Sequence, residues 1–227
     1  MPLADRLPAA LRPRCALLLA SLLGYMGLLP LLSGMPDGRI ALSLMNSLVL
    51  VGGTLAVART NWQTRVAVVL AAVCMPLQWL VIAAPTNVLI AVVEVAMAVF
   101  YGHTVAALLA FVLRPGAVGA DRLYAAVSVY ILLGFFWALG YFALEHWTGA
   151  AFATTVPQLS GHRFSYGDLL YFSFVTITST GYGDIVPVSQ GARSLAVFEH
   201  IVGVMYIAIL IARLAGLYSS EQTPRSG

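Results

Sequence analysis

The sequence predicts an all-α membrane protein: six transmembrane helices, with a half-length re-entrant helix between the fifth and the sixth. Three observations carry this. Of 227 residues, 60% are hydrophobic and only 9% are charged, against roughly 25% charged in a soluble domain. Six stretches approach the ~20 apolar residues that a helix needs to cross a bilayer. The segment after the fifth, residues 145–191, is too long for a turn and holds no full span. Twelve basic and nine acidic residues cannot dress the surface of a soluble globule. That excludes an ordinary soluble enzyme, a disordered chain and a nucleic-acid binder that works through a basic patch.

The predicted spans are residues 15–32, 40–58, 66–84, 88–113, 123–144 and 194–218. A secretory leader is the alternative for the first, with Arg6, Arg12 and Arg14 as its basic flank. The apolar run is long for a leader and further runs come after it, so an uncleaved helix is expected. The breaks at 33–39, 59–65, 85–87 and 114–122 carry the Pro, Gly and polar residues that end helices. The fourth run is long enough to tilt or to project from the lipid. Gly52 and Gly53 suit close helix packing. Cys15 and Cys74 stand in apolar runs, where a thiol behaves as a small hydrophobe; they make neither a disulfide framework nor a zinc site.

Every basic residue is Arg. With the N-terminus inside, Arg6, Arg12, Arg14, Arg59, Arg65, Arg114, Arg122, Arg213 and Arg225 fall on the cytoplasmic side or its edge. Only Arg39, Arg163 and Arg193 fall outside. That bias predicts a multi-pass cell-membrane protein with both termini cytoplasmic.

Within 145–191, residues 166–178 read as a short apolar and aromatic helix, followed at once by glycines. Non-helical backbone at membrane depth is tolerated only where it is buried in protein or lines a water-filled path. The run Thr176-Ile177-Thr178-Ser179-Thr180-Gly181-Tyr182-Gly183-Asp184 resembles the selectivity filter of the potassium-channel family, a TVGYG-type sequence entered from a pore helix and followed by Asp. Two residues depart from the usual pattern: Ser179 stands for Thr, and Thr180 for Val or Ile.

The resemblance implies K+ ions held at Ser179, Thr180, Gly181, Tyr182 and Gly183, with carbonyl oxygens replacing the ion's water shell. Glycines at 181 and 183 permit the alternating handedness that aims successive carbonyls inward. Tyr182 would point away from the pore. Ser179 keeps the innermost hydroxyl, and Thr180 places a hydroxyl behind the filter; selectivity should survive and filter stability should change. One chain supplies one wall, so the resemblance implies a homotetramer in the lipid bilayer, with no nucleic-acid partner. The pore helix would turn its negative dipole end toward the central cavity.

In the family, the filter Asp often bonds an aromatic side chain eight residues before the first filter hydroxyl; here these are Asp184 and Tyr171. Gly203, 19 residues after Asp184, falls where the family has a gating-hinge glycine. Val204, Ile207, Ala208, Ile211 and Ala212 come next on one helical face and would line the cavity and gate. Glu199, one turn before Gly203, is expected to bond the pore helix at Thr176 or Thr178. His200 is expected to face another helix or lipid headgroups.

The resemblance is close over 123–218 and only architectural over 1–114. The implied organisation is a cytoplasmic N-terminus (1–14), a four-helix voltage-sensor-like domain (15–114), a pore domain (115–218) and a short cytoplasmic tail (219–227). Voltage-gated members carry Arg at every third position of helix four; residues 88–113 contain no Arg or Lys. Steep voltage dependence needs several gating charges per subunit, so the expected function is passive, potassium-selective and voltage-insensitive conduction. The alternatives are a non-conducting or accessory subunit, or a secondary transporter, although no internal repeat is visible.

Glu94 and His103 lie inside helix four. The ordinary reading is an interhelical hydrogen bond, the sharper one proton sensing. Glu145, His146, His162, Arg163 and Asp168 are expected in a solvated outer loop, some of them tuning local cation concentration. Asp37 and Arg39 read as an ordinary loop. No nucleotide loop, zinc-protease motif or nucleophile elbow is present, so no enzyme is expected.

Overall fold

The computed structural model describes residues 14–32, 34–35, 38–115, 119–156, 161 and 163–222, with 214–222 as backbone alone. Arg6, Arg12, Asp37, His162 and Arg225 lie outside the described residues. The elements are α1 (Arg14–Leu32), α2 (Gly38–Val57), α3 (Asn61–Ala83), α4 (Asn87–Val112), α5 (Ala120–Thr148), β1 (Phe152–Thr154), α6 (Tyr166–Ile177), β2 (Ile185–Pro187) and α7 (Gln190–Gln222). Six helices, all but α6, are long and apolar enough to cross a membrane. With 12 residues, α6 reaches only about 18 Å, half-way through a bilayer.

Local chemistry sets several ends. Thr60 and Thr86 cap α3 and α4, each side chain accepting the N–H of the third residue on, Gln63 and Leu89. Gly149, at φ 67°, ends α5 in the left-handed conformation, its N–H bonded to Glu145 O. α5 and α7 begin at Ala120 and Gln190, before the predicted 123 and 194. Apolar runs mark where lipid begins, while helices extend into the polar flank. The two short strands were not anticipated; they pair antiparallel, Phe152 opposite Pro187 and Thr154 opposite Ile185, and brace the segments on either side of α6.

Glu145 is corrected by the structure: it is buried, not a solvated mouth residue. Its Oε2 accepts the N–H groups of Ala151 (2.9 Å) and Phe152 (3.2 Å), so it folds the chain back after α5. Asp168 is spent similarly. It accepts the Ser165 N–H at 2.8 Å while Ser165 Oγ accepts the Asp168 N–H, a capping box that starts α6.

Helices apolar on every side gain little by burying one face in lipid, so small residues and specific contacts decide their packing. A Cβ on Gly52 would lie 3.0 Å from Leu18 Cα, and one on Gly53 3.0 Å from the Phe100 ring; α2 thereby seats against α1 and α4. Phe135 of α5 is fully buried. Its ring meets Tyr25 (5.3 Å), Tyr101 (6.1 Å) and Phe174 (6.3 Å) edge-on, joining α1, α4 and α6 to α5.

At the end of the bundle away from α6, Arg59 Nη2 lies 2.6 Å from Asp121 Oδ2, and Asp121 Oδ1 accepts the Cys15 N–H at 2.9 Å. The same guanidinium sits 3.4 Å over the Phe111 ring. One ion pair thus ties α1, α4 and α5 to the loop after α2. Asp121→Ala strands the Arg59 guanidinium and the Cys15 amide and should cost about 1–3 kcal/mol. A lowered melting temperature in detergent checks this. Adding Arg59→Ala should recover part of the loss, because the unpaired cation goes with it.

Candidate ion-binding filter

The pore segment is built from α6 outward. Its Phe174 ring fills the place of a side chain on Gly134 of α5, where a Cβ would lie 2.8 Å from the ring. Ser173 Oγ lies 2.8 Å from Gly134 O. At the other end, a Cβ on Gly203 would lie 2.5 Å from Ile177 Cγ1 and 2.7 Å from Ile177 O. The Gly203 backbone therefore lies directly against the end of α6, and α7 runs through it unbroken.

The last carbonyls of α6 set the path of the chain as it leaves the helix. Val175 O accepts the N–H groups of Thr180 (2.9 Å) and Gly181 (3.2 Å), and Thr176 O that of Ser179 (2.9 Å). Ile177 O accepts the Tyr130 hydroxyl at 3.0 Å. Three consecutive amides of the filter are consumed by the helix they leave. Among the described residues, no donor reaches the carbonyl oxygens of Ser179, Thr180, Gly181 or Tyr182.

The backbone alternates in hand over this stretch: φ is 61° at Ser179, 59° at Gly181 and 76° at Gly183, and not positive at Thr180 or Tyr182. Glycine accepts such values freely. Ser179 is the one described non-glycine residue that adopts them, at a strain of about 1–2 kcal/mol. Backbone strain of this kind concentrates at functional sites.

The outer end is anchored. Gly183 O accepts the Thr155 hydroxyl (3.1 Å), and Asp184 O accepts the Thr155 N–H (2.9 Å) and the Thr154 hydroxyl (2.9 Å). Tyr171 Oη donates to Asp184 Oδ2 at 2.7 Å. The Asp184 carboxylate beside it pushes the Tyr171 phenol up to about 12, so it keeps its proton at ordinary pH. The Tyr182 ring stacks on Tyr171 at 6.5 Å with 6° between planes. Behind the filter, Thr180 Oγ1 lies 2.9 Å from Thr178 Oγ1, which donates to Phe174 O at 2.5 Å.

Glu199 reaches the pore helix at a different residue from those expected. Its oxygens lie 2.5 Å from Ser173 Oγ and 2.5 Å from Tyr141 Oη, while the Thr178 hydroxyl donates to Phe174 O. The reason is register: Ser173 faces the α5–α7 seam, one turn before the expected Thr176 and Thr178. Ser173 has one hydroxyl hydrogen to share between Gly134 O and Glu199 Oε1. His200 is also corrected. Its Nδ1 lies 3.3 Å from Ser179 Oγ, on the filter side of α7. Val204, Ile207, Ala208, Ile211 and Ala212 are all exposed on the single chain.

His103 Nε2 contacts Gln63 O at 3.2 Å, an interhelical bond. Glu94 has none: it is buried, and its Oε1 lacks a partner among the described residues. Tyr101, Asn46 and Gln78, which line the same pocket as Glu94, bond one another instead. Sequence reasoning did not reach Tyr130, Tyr141, Ser173, Thr154 or Thr155. A usable signal existed for Ser173: a lone polar residue in an apolar helix must find a partner such as Glu199 in the next.

The ion channel family's sequence profile matches residues 125–220, the unit just described. Protein LctB of Bacillus caldotenax is 36% identical over 96 residues, which make up 41% of this chain and 69% of LctB. The chain belongs to the potassium-channel family. Two-pore potassium channel 1 of Arabidopsis thaliana is 41% identical over 66 residues, 29% of this chain and 18% of that protein. Two pore potassium channel b of Oryza sativa subsp. japonica is 36% identical over 73 residues, 32% of this chain and 21% of that protein. The chain therefore spans only about a fifth of the plant relatives' length. No solved structure matches it.

Gly203→Ala should force α7 from the end of α6, lowering the melting temperature by more than Gly140→Ala, whose Cβ would meet nothing within 4 Å. Tyr171→Phe should lower stability through loss of the bond to Asp184. Because the folded phenol titrates above its ordinary value of 10.0, at about 12, the wild-type advantage is present below pH 10. It should fade as pH rises from 10 toward 12, read by thermal melts across that range.

Proposed function

We propose that the protein is a potassium-selective channel, conducting K+ passively as a homotetramer. The observation that supports this best is the row of unengaged carbonyl oxygens from Ser179 to Tyr182 on a backbone of alternating hand. At membrane depth such groups need partners. Carbonyls aimed into a shared axis, with ions as those partners, meet that need. A single chain forms one wall, and closed cyclic symmetry supplies the others. K+ is the cargo. Ser179 offers its carbonyl and hydroxyl at the inner end, and Gly183 stands at the outer end.

Tyr171, Asp184, Thr178 and Glu199 hold the filter from behind. Thr176 contributes its carbonyl to the Ser179 amide. Val204, Ile207, Ala208, Ile211 and Ala212 line the inner cavity, with Gly203 as the contact on which α7 leans. Residues 115–218 form the pore domain, and 15–114 a peripheral four-helix domain. α4 (Asn87–Val112) carries no Arg or Lys, so voltage has no charge on that helix to move. Both termini are cytoplasmic, in keeping with the arginine bias.

Purified protein in liposomes tests the proposal. A K+ gradient should drive flux that excludes Na+, needs no counter-ion, is blocked by Ba2+ and varies little in steepness across voltage steps. Absence of flux from a well-folded tetramer would sink the conducting reading and favour an accessory subunit. Flux that requires a counter-ion would favour a transporter. Gly181→Ala, strained at φ 59°, should abolish flux. Glu199→Gln, which can give an N–H to Ser173 and a carbonyl to Tyr141, should keep most of it, and Glu199→Ala should lose about tenfold or more, the equivalent of one to two buried hydrogen bonds.

A further inference from the structure

The peripheral helices line an open pocket that ion conduction leaves unused. Its volume is about 320 Å³, and its walls come from α1 to α4 together with Leu139 and Phe142 of α5 and Tyr166, the first residue of α6. Aliphatic side chains make up much of the lining, and four aromatic rings, Tyr25, Tyr101, Phe142 and Tyr166, contribute to it.

Of the buried side-chain polar atoms on its wall, one lacks a partner among the described residues. Tyr101 Oη donates to Asn46 Oδ1 (2.6 Å), Asn46 Nδ2 to Gln78 Oε1 (2.7 Å), and Gln78 Nε2 to Ser47 Oγ (2.6 Å). Glu94 also lines the cavity. It is only 6% exposed, and its Oε1 finds no partner among the described residues. Arg39 lines the cavity too but does not neutralise it: the ion pair among the described residues is Arg59 with Asp121. A buried carboxyl without a hydrogen-bond partner is costly. A carboxyl among aromatic faces and aliphatic walls is the recognition chemistry of an ammonium group on an apolar body.

We propose that this cavity is a binding site for a small hydrophobic amine, its ammonium donating to Glu94 and its apolar body lying against the rings. The bound ligand touches the peripheral helices, α5 and the start of α6 at once. It would therefore stiffen the contact between the four-helix domain and the pore helix.

The test reads binding directly and does not depend on conduction. Full-length protein in lipid nanodiscs is titrated with 2-phenylethylamine, with its neutral analogue 2-phenylethanol, and with empty nanodiscs as the partition control. Saturable binding of the amine, one per chain, is expected. It should weaken about tenfold or more for the alcohol and for Glu94→Gln, as loss of a charged hydrogen bond implies, and Ba2+ should not affect it. Equal affinity of amine and alcohol for the wild type would overturn the proposal, whatever the variant does. So would equal binding by wild type and Glu94→Gln, displacement of the amine by Ba2+ (which would place it in the filter), or no saturable binding.

Discussion

The filter depends on where three amides go. Once the N–H groups of Ser179, Thr180 and Gly181 are taken by the carbonyls of Val175 and Thr176, the chain leaving α6 cannot continue as a helix. Its own carbonyls must then face elsewhere. A helix normally leaves its last carbonyls for water or a cap; here the filter is that cap. The glycines result from this constraint, since a backbone that doubles back while aiming successive carbonyls to one side must alternate in hand. The aromatic collar has the same origin. An arc with so few internal bonds needs fastening from outside, and the Tyr171–Asp184 bond, the Tyr182 stack and the Thr178–Thr180 contact supply it.

That arrangement holds only while α6 itself is fixed. A 12-residue helix is marginal in isolation. It is stabilised by its capping box, by Phe174 in the space above Gly134, and by Glu199, which bridges α7 to Ser173 and Tyr141. α5 receives nearly all of this. Phe135 links it to α1, α4 and α6, and Asp121 at its far end links it to the loop after α2. α5 therefore carries contacts both to α1 and α4 and to α6 and α7.

The spans and the re-entrant helix were legible because lipid imposes length and apolarity on a sequence directly. The alternating backbone at 179–183 was legible because such a path needs glycines at fixed spacing. Helix ends were less legible, since Ala120 and Gln190 begin their helices in polar surroundings. The three-residue strands have too few positions to show a period of two. Partners across helices were the least legible. That Glu199 meets Ser173 and not Thr176, and that His200 faces Ser179 and not lipid, depends on the rotation of α7 about its axis. That rotation is set by the close approach at Gly203, which no single-chain pattern encodes.

Carboxylates are scarce in this chain, and their placement is uneven in an informative way. Asp121 fastens α1 and the α2–α3 loop to α5, and Glu145 closes the turn after α5. Asp168 starts α6, Asp184 ends the filter, and Glu199 joins α7 to α5 and α6. Each sits at a junction where the backbone changes direction or two helices must be held in register, and each has protein donors to hold it. Glu94 alone among the described carboxylate side chains closes no junction: it stands in the middle of a continuous helix, facing a cavity. A Leu or Met there would fill part of that space and avoid the desolvation cost of a buried acid. The fold gains nothing from Glu94 that the structure reveals, and the proposed amine would give that acid the partner the protein withholds.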